Sequence, residues 1–415
     1  MAIDIRKGLS SLNRANFSKF RGLIKKVGFR RALSTILAYV TNKTNNASKA
    51  ITAKALATNE LQVMQPYVVK IKKPIDAERK KVLHIIENFY TGGSSRLIID
   101  LVENLGHIYD QKVFTFAHRE RAEFLGIDIT TIDVDIPSFV LKQINDFKPD
   151  IIHVHIWRGE WYNKVFDILE HVKECAVIQN INTPLEPIVR DFISKYIFVS
   201  NYVLNSFYKQ DDKAIVIHPG SNFDIFTREM SENYLPCDTI GMVYRLDDDK
   251  LSTESMDVFI RAVEKRPETK AIIVGGGMYY EEYKRKVEKA GLTESITFTG
   301  YVHYEALPDL YKKFTLFVAP VWQESFGQVA PFAMNMGIPV VGYNIGALEE
   351  IINDKSLLAK SADVEQLSDI IVHLLDNYEK CVSVGRYNYE RASKSFAVEK
   401  MIADYEEVYN YYSGR

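Results

Sequence analysis

Arg245 follows an apolar run, Thr239–Tyr244, and Lys250 lies a few residues further on. Two cations at the end of a strand can clamp a diphosphate, the arginine gripping oxygens bidentately and the lysine acting as a point charge. The competing reading leaves Lys250 in solvent beside Asp247, Asp248 and Asp249. Glu324 closes a second apolar run and leads through Ser325-Phe326-Gly327 into the helical pattern of Val329–Met336. A carboxylate there can accept hydrogen bonds from sugar hydroxyls, and free amides at the turn can meet an anion. Gly275-Gly276-Gly277-Met278 ends another strand and opens a helix, and Gly92-Gly93 occupies the equivalent turn earlier in the chain. Glycines let backbone approach a ligand closely, and the helix start after Gly93 could face a phosphate. Met278–Tyr280 stand where a dinucleotide fingerprint has its last glycine, so hydride transfer has little support.

Other chemistry-bearing residues are read more blandly. His153 and His155 alternate along one apolar run and are expected to face opposite sides of a strand, one of them in the core. Asp133-Val134-Asp135 imitates a metal motif but falls in the wrong half of the chain, and we read it as structural. Cys175, Cys237 and Cys381 are too scattered for a metal site or a disulfide framework, which fits a reducing, cytoplasmic setting.

The elements that must position these residues follow from periodicity. The chain has 415 residues, 47% hydrophobic and 26% charged, the balance of a globular protein of two to three domains. No apolar run is long enough to span a bilayer, and no signal peptide is expected. From Lys81 onward short β-branched runs alternate with helical stretches. Strands are predicted at Lys81–Phe89, Phe114–Phe116, Pro149–His155, Ala176–Ile181, Tyr196–Ser200 and Ala214–His218. The pattern restarts near Thr239, with strands at Thr239–Tyr244, Ala271–Gly275, Ser295–Thr299, Leu316–Ala319 and Pro339–Tyr343. Alternation of this kind implies parallel sheets with right-handed crossovers, and ligands at the strand C-termini in the cleft between two doubly wound halves. A last helix, Ser395–Tyr412, is long enough to cross back to the first half.

Residues 1–81 hold 18 Lys/Arg against 4 Asp/Glu, whereas the rest holds 34 against 50. A basic head on an acidic body points to an anionic partner for the head. Phe17, Phe20, Leu23, Ile24 and Val27 would form one stripe on a helix flanked by cations, suited to a membrane interface through residues 1–40. The alternatives are packing on the body or on a second copy as a homodimer. No further motif supports nucleic acid. Residues 41–58 read as a linker.

Residues 239–352 resemble the donor domain of retaining GT-B glycosyltransferases of family 4. The matching stretches are Tyr244-Arg-Leu with Lys250, Ile272-Ile-Val-Gly-Gly-Gly, Ile296-Thr-Phe-Thr-Gly-Tyr-Val, Leu307-Pro-Asp-Leu-Tyr, Glu324-Ser-Phe-Gly, Gly337-Ile-Pro-Val-Val and Gly346-Ala-Leu-Glu-Glu-Ile-Ile. The first half is similar more loosely, through Gly92-Gly93, Pro149-Asp-Ile-Ile-His-Val-His, Phe198-Val-Ser-Asn and His218-Pro-Gly. The resemblance implies an α/β GT-B fold of two Rossmann-like doubly wound domains facing a cleft, with a basic helical N-terminal extension. The domain reading is extension and linker 1–78, acceptor domain 79–235, donor domain 236–393 and crossing helix 394–415.

It also implies roles. Arg245 and Lys250 hold the donor diphosphate, and Glu324 binds donor-sugar hydroxyls. Ser325, Phe326, Gly327, Gln328 and Val329 contact sugar and phosphate, largely through backbone amides. Tyr301 and Val302 line the base pocket, Gly275 and Gly277 belong to the nucleotide site, and Gly92 and Gly93 close over the phosphate. The family often has a histidine near the anomeric centre. Here Asn180 or Asn182 would stand in, and His155 is a further sugar or acceptor candidate. The family usually has a second glutamate, which accepts from ribose hydroxyls, where this chain has Phe332. A carboxylate facing 2′-deoxyribose would lose a partner, and an unpaired buried charge is costly. Phe332 therefore favours a dTDP-sugar, with dTDP-β-L-rhamnose the leading donor, unless it reflects core drift. The implied activity is metal-independent transfer of rhamnose, as in S-layer glycan or O-antigen assembly, onto a lipid-linked glycan at the inner face of the cytoplasmic membrane. The alternatives are a UDP-hexose transferase and an inactive GT-B scaffold at the membrane.

Overall fold

The computed structural model describes residues 67–90, 92–117, 124–156, 160–208, 211–231, 234–236 and 238–414. The head stripe, the linker and Cys237 lie outside them. In the first half, strands β1 (Tyr67–Val68), β2 (Lys80–Asn88), β3 (Tyr109–Ala117), β4 (Phe124–Leu125), β5 (Asp128–Thr131), β6 (Ile151–Ile156), β7 (Ala176–Ile181), β8 (Ile193–Phe198) and β9 (Ala214–Val216) alternate with four helices. These are α1 (Gly93–Leu105), α2 (Pro137–Phe147), α3 (Trp161–Leu169) and α4 (Asn201–Phe207). The sheet runs β5-β3-β2-β6-β7-β8-β9, parallel throughout. Strands β1 and β4 pair separately.

The second half contains β10 (Thr239–Val243), β11 (Lys270–Val274), β12 (Ile296–Gly300), β13 (Leu316–Ala319), β14 (Val340–Tyr343) and β15 (Leu358–Ala359), in the order β12-β11-β10-β13-β14-β15, again parallel. Its helices are α5 (Ser255–Lys265), α6 (Tyr280–Lys289), α7 (Leu307–Tyr311), α8 (Val329–Asn335), α9 (Leu348–Ile352), α10 (Val364–Leu375) and α11 (Tyr378–Ser395). Strand order reverses between β2 and β6 and between β10 and β13, the switch points where doubly wound sheets bind ligands.

The chain ends in α12 (Val398–Ser413), whose Val398, Met401, Tyr405 and Tyr409 pack with Val82, Leu97, Leu101, Ile151 and Ile178 of the first half. Periodicity misses α11 entirely. Its buried residues are Cys381, Gly385, Asn388 and Ala392, a helical stripe of small side chains that carries almost no hydrophobic signal. Close approach explains them: a Cβ on Gly385 would lie 2.0 Å from the Gly337 carbonyl oxygen. Strand β3 is longer than the predicted Phe114–Phe116, because Gln111 and Thr115 interrupt its apolar pattern yet are buried and hydrogen-bonded. Among the described residues, no helix is long and apolar enough to cross a membrane.

Candidate active site

The loops after β10, β11 and β13 meet at the second switch point. Leu246 N donates to the Gly276 carbonyl and Tyr279 N to the Leu246 carbonyl, both at 2.9 Å. Gly275 has φ +128°, and a Cβ there would sit 1.9 Å from the Tyr244 carbonyl oxygen, so the contact requires glycine. Gly277 is also close-packed, its Cβ position 2.6 Å from the Leu246 carbonyl oxygen. A Cβ on Gly276 would fall 2.7 Å from the Tyr301 ring, which therefore lies on bare backbone with its other face open. Tyr301 is 74% exposed, a free aromatic face beside half-buried Val302.

Glu324 follows β13 and is 1% exposed. Its Oε1 accepts from Lys250 Nζ and, at 3.3 Å, from Phe326 N. Its Oε2 is buried without a hydrogen-bond partner, as is the neighbouring Tyr244 hydroxyl. Burial, and then the charge of Glu324, push that phenol well above its ordinary pKa. Gly346 (φ +58°) and Ala347 N, which donates to the Glu324 carbonyl at 2.9 Å, hold the residue from behind. A Cβ on Gly327 would stand 2.4 Å from Oε2, so its backbone borders the free carboxylate oxygen. Trp322 N donates to the Lys250 carbonyl at 3.0 Å and its Nε1 to the Asp248 carbonyl at 2.9 Å, stitching the two loops together.

The two cations of the expected clamp are each held by carboxylates. Arg245 lies 2.5 Å from Asp249 and 4.0 Å from Asp247, and its side chain is 64% exposed. Lys250 is not solvated beside the aspartates but pairs with Glu324, because a buried carboxylate needs a counter-cation. An anionic ligand would enter by exchanging for these carboxylates, while a hydroxyl donor would satisfy Glu324 Oε2. Phe332 is buried and stacks on Phe226, with centroids 4.0 Å apart and planes at 11°. Tyr304 meets it edge-on at 6.0 Å.

In the first half, Gly92 and Gly93 are exposed at the start of α1, and a Cβ on Gly93 would meet nothing within 4 Å. Behind them Asn182 Nδ2 donates to Ser94 Oγ at 3.1 Å, and Asn180 Nδ2 to Asn182 Oδ1 at 2.5 Å. Asn182 is half-buried and Asn180 fully buried.

The histidine expectation is corrected. Residues two apart on a strand share a face, and the His153 and His155 rings lie 4.1 Å apart on the face covered by α1 and α12. Both are fully buried, as Asn180 is, so neither His155 nor Asn180 reaches a sugar or acceptor directly. His155 Nε2 is 3.1 Å from His84 Nδ1, and His84 Nε2 is 2.9 Å from Gln111 Oε1. Burial lowers the pKa of all three imidazoles, that of His84 to about 4. Among the described residues these three form the one group with metal-ligand spacing. No carboxylate or thiolate accompanies them. We read them as a buried polar layer, tied to Gln111 and Tyr409 through His84 and His153, in which His153 Nε2 and His155 Nδ1 take no hydrogen-bond partner among the described residues. In Asp133-Val134-Asp135 the two aspartates are exposed and Val134 is buried; Asp135 N donates to Asp133 Oδ1 and Asp135 pairs with Lys164.

Sequence reasoning gave no role to Glu350, which joins the two halves. Its carboxylate accepts from Asn201 N at 3.0 Å and lies 2.6 Å from His218 Nε2. Ser200 Oγ donates to the Ser325 carbonyl at 2.7 Å, and Gln328 Nε2 to the Gly220 carbonyl at 2.7 Å. The signal was the joint presence of Phe198-Val-Ser-Asn, His218-Pro-Gly and Gly346-Ala-Leu-Glu-Glu, three motifs that meet here.

Residues 228–391 match the family model described as Glycosyl transferases group 1. A lipopolysaccharide core biosynthesis mannosyltransferase of Rhizobium meliloti is 30% identical over 170 residues, 39% of this chain and 48% of the relative. The match thus spans about half that relative's length. D-inositol 3-phosphate glycosyltransferase of Mycolicibacterium smegmatis is 28% identical over 338 residues, 70% of this chain and 76% of the relative. HepE of Anabaena, solved in complex with UDP and glucose, superposes with TM-score 0.66 at 18% identity, covering 80% of this chain and 99% of that one. Sucrose-phosphate synthase of Thermosynechococcus elongatus gives 0.63 at 17% identity, covering 80% and 98%. The fold is GT-B, and the similarity to group 1 glycosyl transferases lies in residues 228–391.

Proposed function

We propose that this protein is a retaining, metal-independent glycosyltransferase that moves rhamnose from dTDP-β-L-rhamnose onto a lipid-linked surface glycan. The observation that carries the transferase reading is Glu324: a buried carboxylate with one unsatisfied oxygen, at a switch point, between loops bearing Arg245 and Lys250. In this reading residues 236–393 hold the donor and residues 79–235 the acceptor. The sugar's hydroxyls donate to Glu324 Oε2. Lys250 and Arg245 turn from their carboxylates to the diphosphate, joined by amides of the Ser325–Val329 turn and by Gly92 and Gly93. The base stacks on Tyr301. Acceptor oxygen bonds to the anomeric carbon as the C1–O bond to phosphate breaks, and the leaving phosphate takes the acceptor's proton on the same face. The protein's contribution is orientation and stabilisation of the departing charge.

The dTDP donor is supported by the missing carboxylate at position 332, where similar sequences usually have a ribose-binding glutamate; the Phe332 ring itself is buried against Phe226. A second reading, a UDP-hexose donor, is favoured by the UDP held in the similarly folded HepE. Calorimetry with dTDP and UDP separates them: dTDP is expected to bind more tightly, and UDP binding at least as tightly defeats the dTDP assignment while leaving the transferase reading intact. Release of nucleotide from the sugar donors tests the activity itself and excludes a scaffold.

A further inference from the structure

We propose that Tyr405, on the closing helix α12, positions the Ser94 hydroxyl as a hydrogen-bond donor to the donor diphosphate, acting through Asn180 and Asn182. This rests on the glycosyltransferase reading above and adds two residues to its site. The four side chains come from distant parts of the chain and form one directed relay. Tyr405 is 1% exposed, and its hydroxyl donates to Asn180 Oδ1 at 2.5 Å. That contact fixes which end of the Asn180 amide is the acceptor, so Nδ2 points the other way and donates to Asn182 Oδ1 at 2.5 Å. The Asn182 amide is oriented in turn, and its Nδ2 donates to Ser94 Oγ at 3.1 Å.

The relay ends on an oxygen that already accepts. A hydroxyl that accepts along this line keeps its own proton for another partner, and among the described residues no group takes it. Exposure rises along the relay, from Tyr405 and Asn180 in the core, through half-buried Asn182 and Ser94, to exposed Gly93 and Gly92. The proton of Ser94 is therefore delivered beside the glycine pair, where open space meets the reading of a bound diphosphate. Tyr405 touches no ligand and is a positioning residue. Because it sits on α12, the chain's last helix sets the polarity of a group in the cleft.

The test is calorimetry with whichever of dTDP and UDP binds wild-type protein more tightly, on Ser94→Ala, Ser94→Thr, Tyr405→Phe and the Ser94→Ala/Tyr405→Phe double variant. A lost hydrogen bond to a charged group predicts about tenfold weaker binding for Ser94→Ala, near-normal binding for Ser94→Thr and about threefold weakening for Tyr405→Phe. In the Ser94→Ala background Tyr405→Phe should have no further effect, since its influence passes through the missing hydroxyl. Additive losses would confine Tyr405 to a structural role and overturn the relay. Ser94→Ala at a half-exposed position reads the contact even if Tyr405→Phe loosens α12, and unchanged nucleotide affinity in Ser94→Ala overturns the proposal alone. Wild-type protein that binds neither nucleotide overturns both it and the glycosyltransferase reading.

Discussion

The two sheets bury their faces differently. In the second half, Arg245, Lys250 and Glu324 gather at strand ends around an apolar core. In the first half a polar layer of His84, Gln111, His153, His155 and Asn180 lies inside, between the sheet and helices α1 and α12. All fully buried histidines among the described residues belong to it. An apolar interface tolerates repacking, whereas a buried polar group must find its partner or lose stability. The second half is thus a platform with chemistry on its rim. The first half uses its interior to fix how a distant helix docks, through Tyr405 to Asn180, Tyr409 to His153 and Tyr109 to Asn410.

That contrast can be broken at several points. The largest effect is expected at the rim of the second half: Arg245→Ala and Lys250→Ala should each cut turnover by about 10²-fold or more, since preorganised charges that stabilise a leaving group contribute several kcal/mol. Release of nucleotide from the sugar donor measures this, and a near-normal rate in either variant would remove that cation from the site. Glu324→Gln should keep nucleotide affinity and lose sugar-dependent turnover.

Within the first half, Tyr409→Phe should cost about 1–3 kcal/mol of stability by leaving His153 Nδ1, now 2.7 Å from the hydroxyl, buried and unpaired. Denaturant unfolding reads it. A loss near zero would mean that the polar layer does not hold α12.

A smaller effect is expected where the halves meet. Burial raises the pKa of Glu350, but hydrogen bonds from His218 and the Asn201 amide outweigh it and hold the carboxyl below its usual value. The folded state therefore binds this proton less readily than the unfolded state. The stabilisation is complete above the ordinary carboxylate range and is lost as pH falls through the depressed folded value. Glu350→Gln should cost about 1 kcal/mol at pH 7 and reduce the acid sensitivity of unfolding. Unchanged acid sensitivity would sever Glu350 from the contact between halves.

The least effect on either half is expected from deleting residues 1–40. Melting temperature should stay as in the full chain, while binding to anionic vesicles weakens, because each surface cation contributes roughly 1 kcal/mol at low salt. Vesicle sedimentation at two salt concentrations, beside sedimentation velocity, decides the matter. Equal vesicle binding would end the membrane role, and a lower melting temperature or a lost dimer would show that the stripe packs on protein.

Much of the candidate site in the second half was legible because its chemistry is local. Arg245 and Lys250 share one loop, Glu324 stands directly before its Ser-Phe-Gly turn, and each follows a β-branched run whose end is easy to see. The first half was less so. Asn180 and Asn182 were singled out, but nothing linked them to Ser94 or to Tyr405, 225 residues from Asn180. His153 and His155 were assigned to opposite faces although a period of two puts them on one. Helix α11 escaped because its buried stripe is small rather than apolar. Glu350 and His218 were present as motif letters without a role.

Alternating strand and helix patterns already specified two doubly wound parallel sheets, and with them which loops lie at the strand C-termini and carry Arg245, Glu324 and the glycine turns. Hydrophobic periodicity encodes that much, since burial of a face is a property of each segment taken alone. Which partner each polar group takes is not. Lys250 meets Glu324 rather than its neighbouring aspartates, Glu350 reaches across to Asn201 and His218, and Tyr405 sets the Asn180 amide. Such pairings depend on angstrom-scale distances between segments far apart in the chain, and only the packed tertiary structure supplies them.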